Sequence, residues 1–464
     1  MNKTMILRRG LQLAAIYRER EYFQRTFTLA IPIILQQFIS SALNMVGSVM
    51  IGQLGETSVA AVGLANQIFF VFTLLLFGIT SGSAIFTAQL WGKGDIPNIR
   101  RILGLSLILG LGGAALFLGI AAFFPEAALG LYSKDPAVVA LGSDYLRVFG
   151  LSFLFTAVTF AFAAALRSTG DVKTPLVVSI SALSLNTLLS FILIFGKFGA
   201  PALGIQGAAV SLVIARAVEA IAMVWFTYRR KSPVAGRLSD FARLDRAFSG
   251  KVLRRVTPVA INELIWALGI TTYNIVYARI GTEAIAAVNI AVTIDNLAMF
   301  LFGGIAHACA ILVGHLIGSG QQRKAYQYAG KSLSLGIFGA LAVGGLILAT
   351  SGYMLDLYKV SPQVSAYTRS ILLVIAALLW LRVANMVLFI GVLRSGGDTR
   401  FAFFLDCGSI WLVGVPLAFL GAFVFHLPVY TVYLLVMTEE LVKFCIGMVR
   451  FFSRRWIQNV VHSV

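Results

Sequence analysis

Apolar runs of about 20 residues recur along nearly the whole chain, and short polar segments separate them. A hydrocarbon core about 30 Å thick is crossed by a helix of about 20 apolar residues. The pattern therefore predicts twelve transmembrane helices. The predicted spans are 28–51, 59–85, 102–124, 138–165, 174–196, 203–228, 257–279, 284–312, 331–350, 366–392, 401–424 and 428–450.

The composition fits a chain that is solvated by lipid. Its 464 residues are 59% hydrophobic and only 12% charged, and the mean hydropathy is +0.88. A soluble domain of this size cannot hide so much apolar surface in a core. The net charge of +18 would suggest a nucleic-acid partner in a soluble protein, but Lys and Arg here cluster in short segments between apolar runs. We therefore expect the lipid bilayer as a partner and no nucleic acid.

Basic residues mark one side of the membrane. The even-numbered connections, such as KGDIPNIRR (93–101) and GSGQQRK (318–324), are far richer in Lys and Arg than the odd-numbered ones. The positive-inside rule then places both termini in the cytoplasm. We expect the protein in the inner (plasma) membrane. The predicted organisation is a cytoplasmic or interfacial segment 1–27, an N-lobe 28–228, a cytoplasmic linker 229–256, a C-lobe 257–450 and a cytoplasmic tail 451–464.

The second half of the chain repeats the first at a constant offset of 226 residues. The matched pairs include Pro32 with Pro258, Gly55 with Gly281, Gly92 with Gly318, and Gly94 with Gly320. One residue later, LRSTGD (166–171) matches LRSGGD (393–398). Each repeat holds six helices, an even number, so both repeats begin on the same side of the membrane and are parallel. We therefore predict an all-α polytopic membrane protein of two parallel six-helix repeats.

Four segments resemble signatures of the multidrug and toxic compound extrusion (MATE) family. They are NMVGSVMIGQLGETSVAAVGLANQ (44–67), ALRSTGDVKTP (165–175), YARIGTEAIAAVNI (277–290) and VLRSGGDTRFAF (392–403). The resemblance covers nearly the whole chain and both halves. It implies two six-helix lobes around a central cavity, and export of cationic or amphiphilic compounds in exchange for protons or sodium ions.

The chain departs from the family pattern at the residues that bind the coupling ion. Similar members that couple through the first lobe carry an aspartate where this chain has Gly47, and often a second where it has Ser190. Other members use a glutamate in the seventh helix and an aspartate in the tenth. Here the seventh span contains Glu263, whereas the tenth offers Arg382 and Asn385 instead of an acid. The resemblance therefore points to the second lobe without matching each residue.

Three acids of the second half fall inside predicted spans, where a charge costs about 2.5–3.5 kcal/mol on insertion scales. They are Glu263, Asp295 and Asp406. We expect them to lack a basic partner and to bind the coupling cation, Glu263 foremost, with Na⁺ an option at Glu263 and Asp406. A carboxylate in a low-dielectric cavity can exchange protons near neutral pH or pair with a cation. The alternative is that these acids only neutralise Arg382 or another buried base.

Further polar and aromatic residues of the spans are predicted to line a substrate cavity, since rings can stack on flat or cationic ligands. The predicted cavity residues are Gln37, Asn186, Trp266, Tyr273, Arg382 and Asn385. Two helical pairs have the spacing of internal ion pairs. They are Arg216 with Glu219, and Glu439 with Lys443. No resident metal site is expected.

We interpret the chain as a secondary active antiporter that works by alternating access. It has no GxxxxGK[ST] phosphate loop, so no ATP hydrolysis is indicated. We expect a monomer with a small organic substrate and no cofactor besides the coupling H⁺ or Na⁺. The main alternative is a flippase for lipid-linked precursors, which would need a cationic cavity for a pyrophosphate. A membrane enzyme or receptor is less favoured, since the histidines are scattered and no external loop is long.

Overall fold

The computed structural model describes residues 20–356 and 360–462. Within that part of the chain every regular element is a helix, which confirms the all-α class. The predicted segment 1–27 lies mostly outside the described residues, and so do the last two residues of the tail 451–464.

The described residues form twelve helical spans, as predicted. Ten helices are each long and apolar enough to cross a membrane, and Pro136–Phe149 with Ser152–Ser168 forms an eleventh span bent by 50°. A turn at Met437 divides the last span. The spans are α1 Arg20–Gly52, α2 Glu56–Lys93, α3 Ile96–Phe123, α4 Pro136–Phe149 with Ser152–Ser168, α5 Lys173–Phe195, α6 Ile205–Arg229, α7 Arg246–Ile280, α8 Thr282–Gly318, α9 Gln322–Asp356, α10 Pro362–Met386 with Val387–Arg394, α11 Thr399–Val424 and α12 Val429–Val436 with Thr438–Phe452.

The wider helical turns of α10 and α11 set these spans apart. Val387–Arg394 in α10, and both Ile410–Gly414 and Leu420–Val424 in α11, form π-helical segments. Such segments are rare and often accompany functional sites, because the extra residue per turn redirects the side chains that follow.

The repeat seen in the sequence is also a repeat of backbone geometry. Gly94 directly follows α2 and Gly320 lies two residues after the end of α8, with φ angles of +80° and +79°. Gly170 and Gly397, in the two RSxGD loops, have φ angles of +93° and +88°. These values lie in the left-handed region that glycine adopts without steric cost. The equivalent glycines therefore make the same turns in both halves.

The chain divides into two compact units, and the boundary between them falls inside α1 and inside α7. We call Leu35–Leu264 the N-unit, and the described residues up to Ile34 together with Ile265–His462 the C-unit. The division falls inside α1, just after Pro32, and inside α7, after Pro258. These units differ from the predicted lobes 28–228 and 257–450, because the first part of each repeat's first helix packs with the other repeat.

Two repeat-equivalent glycines make room for these exchanged helix segments. In the N-unit, a Cβ on Gly78 of α2 would overlap the Cα of Ala260 in α7. In the C-unit, a Cβ on Gly304 of α8 would overlap Ile34 and approach the carbonyl oxygen of Ala30, both in α1. Gly78 and Gly304 are themselves 226 residues apart. The glycines are required because the helix backbones lie in direct contact.

Gly78→Ala is expected to destabilise the N-unit by about 1–3 kcal/mol, since overpacking against a backbone forces helices to shift. Gly63→Ala, in the same helix, is the matched control because a Cβ there meets nothing within 4 Å. Melting temperatures of the purified variants in detergent would measure the difference. Equal melting temperatures for the two variants would show that α2 and α7 are not in contact at Gly78.

The C-terminal tail packs on the second RSxGD loop. Trp456 is fully buried, and a Cβ on Gly396 would overlap it. Asp398 accepts hydrogen bonds from Arg450 Nε at 2.7 Å and from Gln458 Nε2 at 3.2 Å. The first repeat has Thr169 in place of Gly396. The difference between STGD and SGGD therefore follows from the tail, which leaves no room for a side chain at Gly396.

Candidate functional site

Asp295 forms an ion pair with Arg382 inside the C-unit. Asp295 lies in the middle of α8 and its side chain is only 2% exposed. Arg382 extends from α10, and its Nη1 donates to Asp295 Oδ2. The expectation that Asp295 lacks a basic partner was therefore wrong, and the stated alternative, that the acids neutralise Arg382, describes Asp295. Arg382 lies on another helix, 87 residues away in sequence, and the spacing of charges along a helix detects only pairs within that helix.

Asp406 is also paired, and its partner is the centre of a larger cluster. Lys443 Nζ of α12 lies 3.1 Å from Asp406 Oδ1 of α11. It also lies 3.4 Å from Glu439 Oε1 and 3.6 Å from Glu440 Oε1. One buried ammonium group thus faces three carboxylates. The predicted pair of Glu439 with Lys443 is confirmed, whereas the expectation of an unpaired Asp406 was wrong.

In Glu439 and Glu440, the second carboxylate oxygen, Oε2, accepts a hydrogen bond from an uncharged side chain. The Tyr273 hydroxyl of α7 donates to Glu439 Oε2 at 2.7 Å. Asn385 Nδ2 of α10 donates to Glu440 Oε2 at 2.6 Å and to the Glu440 carbonyl oxygen at 2.7 Å. Tyr273 and Asn385, both predicted as cavity residues, are therefore brought to the acids. Four helices of the C-unit converge on this cluster: α7, α10, α11 and α12.

The cluster and the Asp295 pair together carry more acid than base. Glu440 interacts electrostatically with Arg382, so the charges of the Lys443 cluster and of the Asp295–Arg382 pair affect each other. The acids are Asp295, Asp406, Glu439 and Glu440, and the bases are Arg382 and Lys443. With every group ionised, these six groups carry a net charge of −2 in a low-dielectric region, which is costly. The arrangement therefore favours uptake of positive charge.

Two buried oxygen atoms of the same region have no hydrogen-bond partner among the described residues. They are Asp295 Oδ1 and Asn385 Oδ1. A buried acceptor without a donor costs about 1–3 kcal/mol. A bound proton, ion, water or substrate donor would satisfy these atoms.

Glu263 belongs to the other unit. It lies on α7, just before the N-unit ends, and is buried. Asp295 and Asp406 belong to the C-unit, so the three predicted coupling acids are not members of one cluster within either unit. Among the described residues, no group of three or more His, Cys, Asp or Glu side chains can hold a metal ion. The other predicted cavity residues Gln37 and Trp266 are exposed.

The N-unit lacks a comparable acid cluster among its described residues. Ser190 Oγ lies 2.6 Å from Ser211 Oγ. Asn186 Oδ1 is buried and has no hydrogen-bond partner in the described part. Arg216 and Glu219 form the predicted pair on α6, at 2.7 Å. The buried polar groups here are thus mostly neutral or matched in charge.

A cavity of about 530 Å³ lies between α1 and α5 of the N-unit. It is lined by Leu43, Val46, Met50, Gln53, Ser184, Thr187, Leu188, Phe191 and Phe195. Gly47 follows the lining residue Val46 in the sequence of α1, and a Cβ there would meet nothing within 4 Å. The lining is mainly apolar, as small-molecule sites generally are, with three polar side chains that can orient a ligand.

The position of Tyr273 depends on Gly414, which ends a π-helical segment of α11. A Cβ on Gly414 would overlap the Tyr273 hydroxyl and lie 2.6 Å from Glu439 Oε2. Gly414→Ala is therefore expected to break the Tyr273–Glu439 hydrogen bond and lower transport severalfold. Gly408→Ala is the matched control in the same helix, since its Cβ would meet nothing within 4 Å. Transport rates in vesicles, normalised to the amount of folded protein, would test the difference. Equal rates would remove Tyr273 from the site.

Comparisons with known proteins agree with this architecture. The MatE family model matches residues 32–192 and 258–420, one match in each half. The chain belongs to the MATE family of transporters. It is therefore a multi-pass membrane protein with the internal duplication that the family model detects separately in each half.

Several curated relatives of this MATE family member align over most of their length. It is 30% identical to the uncharacterized transporter YisQ of Bacillus subtilis, covering 93% of this chain and 95% of that protein. It is 29% identical to a probable multidrug resistance protein NorM of Agrobacterium fabrum, covering 87% of each. It is 27% identical to the multidrug resistance protein PmpM of Pseudomonas aeruginosa, covering 89% and 85%.

Solved MATE structures share the fold. One described as MATE in the bent conformation superposes with a TM-score of 0.84 at 20% identity, covering 94% of this chain and 96% of that one. The eukaryotic MATE transporter AtDTX14 superposes with a TM-score of 0.79 at 16% identity, covering 96% and 98%.

Proposed function

We propose that the protein is a secondary active antiporter that exports organic compounds in exchange for H⁺ or Na⁺. The observation that carries the proposal is the excess of buried carboxylates in the C-unit. The four acids and two bases held among α8, α10, α11 and α12 carry a net charge of −2 when all are ionised. Such an arrangement favours a state that has bound a cation, and therefore responds to a cation gradient.

Alternating access follows if the cation and the substrate favour different states. A ligand shifts an equilibrium only by its differential affinity for the two states. Cation uptake by the acid cluster neutralises charge and allows Asp406, Glu439 and Lys443 to rearrange. The substrate is then released to the outside, and loss of the cation to the cytoplasm restores the first state.

The substrate class proposed is cationic or amphiphilic. An amphiphilic molecule can place its apolar part in the cavity between α1 and α5, which has only three polar lining residues. Relatives described as multidrug resistance proteins support this class. A flippase for lipid-linked pyrophosphates would need a cationic cavity, whereas the buried network of the C-unit carries excess acid. We place the protein in the plasma membrane as a monomer with both termini in the cytoplasm.

The purified protein reconstituted in vesicles tests this proposal. A proton gradient and a sodium gradient are imposed separately, and uptake of the fluorescent organic cation ethidium is followed. Uptake driven by either gradient supports antiport. Uptake that neither gradient drives, or uptake of a lipid-linked pyrophosphate instead, overturns it. Glu263→Gln tests the remaining coupling candidate: normal gradient-driven uptake by that variant removes Glu263 from the coupling mechanism.

A further inference from the structure

The ammonium group of Lys443 lies where three carboxylates of the C-unit converge. Its three N–H donors face three carboxylate groups, at 3.1 Å for Asp406, 3.4 Å for Glu439 and 3.6 Å for Glu440. The Lys443 side chain is only 4% exposed. The carboxylates therefore surround a cation that is covalently part of α12 and cannot leave.

We propose that Lys443 determines the coupling ion, so that the protein exchanges substrate for H⁺ and not for Na⁺. This inference rests on the proposed antiport function and names its ion. Na⁺ needs several oxygen ligands around an open position, and a fixed ammonium at that position repels a second cation. A proton needs only one carboxylate oxygen, so it binds beside Lys443 without displacing it.

The excess negative charge of the cluster favours binding of a proton. Lys443 balances one of the three carboxylates that face it, so these four groups carry a net charge of −2 when all are ionised. Transfer of one proton from water to a carboxylate oxygen lowers that excess by one unit, and its return to water restores it. The acceptors that water reaches most readily are Asp406 and Glu440, whose side chains are 14% and 17% exposed.

The neutral donors fix which oxygens remain for Lys443. Tyr273 donates a hydrogen bond to Oε2 of Glu439, and Asn385 donates one to Oε2 of Glu440. The remaining oxygens then point to one shared position, which is the position of the ammonium group. If Lys443 is replaced by an uncharged residue, this position becomes open, acidic and surrounded by oxygen atoms, which are the ligands that Na⁺ prefers.

The experiment compares wild type with Lys443→Met. In wild-type vesicles a proton gradient drives ethidium uptake, and a sodium gradient without a pH difference drives none. In purified Lys443→Met, ²²Na⁺ binding appears and the melting temperature is higher in NaCl than in choline chloride at equal concentration. Lys331→Gln is the matched control, because Lys331 is another buried lysine of the C-unit and lies over the rings of Tyr22 and Tyr328. It should bind no ²²Na⁺.

Each outcome decides the inference. Sodium-driven uptake or ²²Na⁺ binding by wild type overturns it, while antiport itself stands. Absence of ²²Na⁺ binding by folded Lys443→Met also overturns it. If Lys443→Met does not fold, Lys443→Met/Asp406→Asn, with one carboxylate fewer, replaces it and must show the same sodium dependence. Uptake driven by neither gradient in wild type is a different result, which rejects the proposed function.

Discussion

Arg382→Met is expected to lower the free energy of unfolding by about 3–5 kcal/mol, the cost of leaving one partner of a buried ion pair uncompensated. The variant keeps a side chain of similar length but leaves the Asp295 carboxylate without its base. Asp295 is only 2% exposed, so water cannot replace the guanidinium group. Denaturation in detergent, followed by circular dichroism, measures the effect.

The double variant Arg382→Met/Asp295→Asn separates a structural role from a coupling role. Removing both charges of a buried pair is often nearly neutral for stability. We therefore expect the double variant to recover most of the stability lost in Arg382→Met. If both variants are equally unstable, the pair is not the reason for the loss. Transport by the double variant then reports whether the pair acts beyond joining α8 to α10.

Glu439→Gln is expected to reduce gradient-driven uptake by about 5- to 150-fold, the range of typical coupling free energies. Glu439 is almost completely buried and binds both Lys443 and Tyr273. The amide keeps the shape of the side chain but removes one negative charge, so the cluster attracts a cation less strongly.

Glu219→Gln is the matched control for this variant, since Glu219 is equally buried and is paired with Arg216 in the N-unit. Glu219→Gln removes the carboxylate that pairs with Arg216, whereas Glu439→Gln still leaves Lys443 facing Asp406 and Glu440, so the control tests for a loss of stability at least as large. Only Glu439→Gln should uncouple uptake from the gradient in vesicles that contain equal amounts of folded protein. An equal loss in the two variants would indicate general damage and not a coupling role.

The hydrophobic pattern was sufficient to predict the twelve spans. Each span must be apolar along about 20 residues to be soluble in lipid, so every one leaves its own local signal. The repeat was visible because turn glycines such as Gly94 and Gly320 need the same left-handed backbone in both halves. The exchange of helix segments was not predicted, because the hydrophobic pattern of a transmembrane helix is the same whichever unit the helix packs against.

The site was predicted only in part. Intrahelical pairs such as Arg216 with Glu219 follow from spacing alone, and the structure contains them. The Asp295–Arg382 and Asp406–Lys443 pairs join helices distant in sequence, so spacing could not select the partners. Arg382 was named only as the alternative, as a base that the buried acids could neutralise. Glu440 was missed, although it lies three residues before Lys443 and spacing alone could have indicated it.

The most direct test of the account measures how cation binding and substrate binding affect each other on the purified protein. Thermodynamic linkage is reciprocal: if a bound cation lowers the affinity for substrate, bound substrate lowers the affinity for the cation by the same factor. We predict that wild type binds ethidium more weakly as the proton concentration rises, and that in Glu439→Gln this dependence is reduced or absent. An ethidium affinity of wild type that stays the same at every proton and sodium concentration would contradict cation-coupled export.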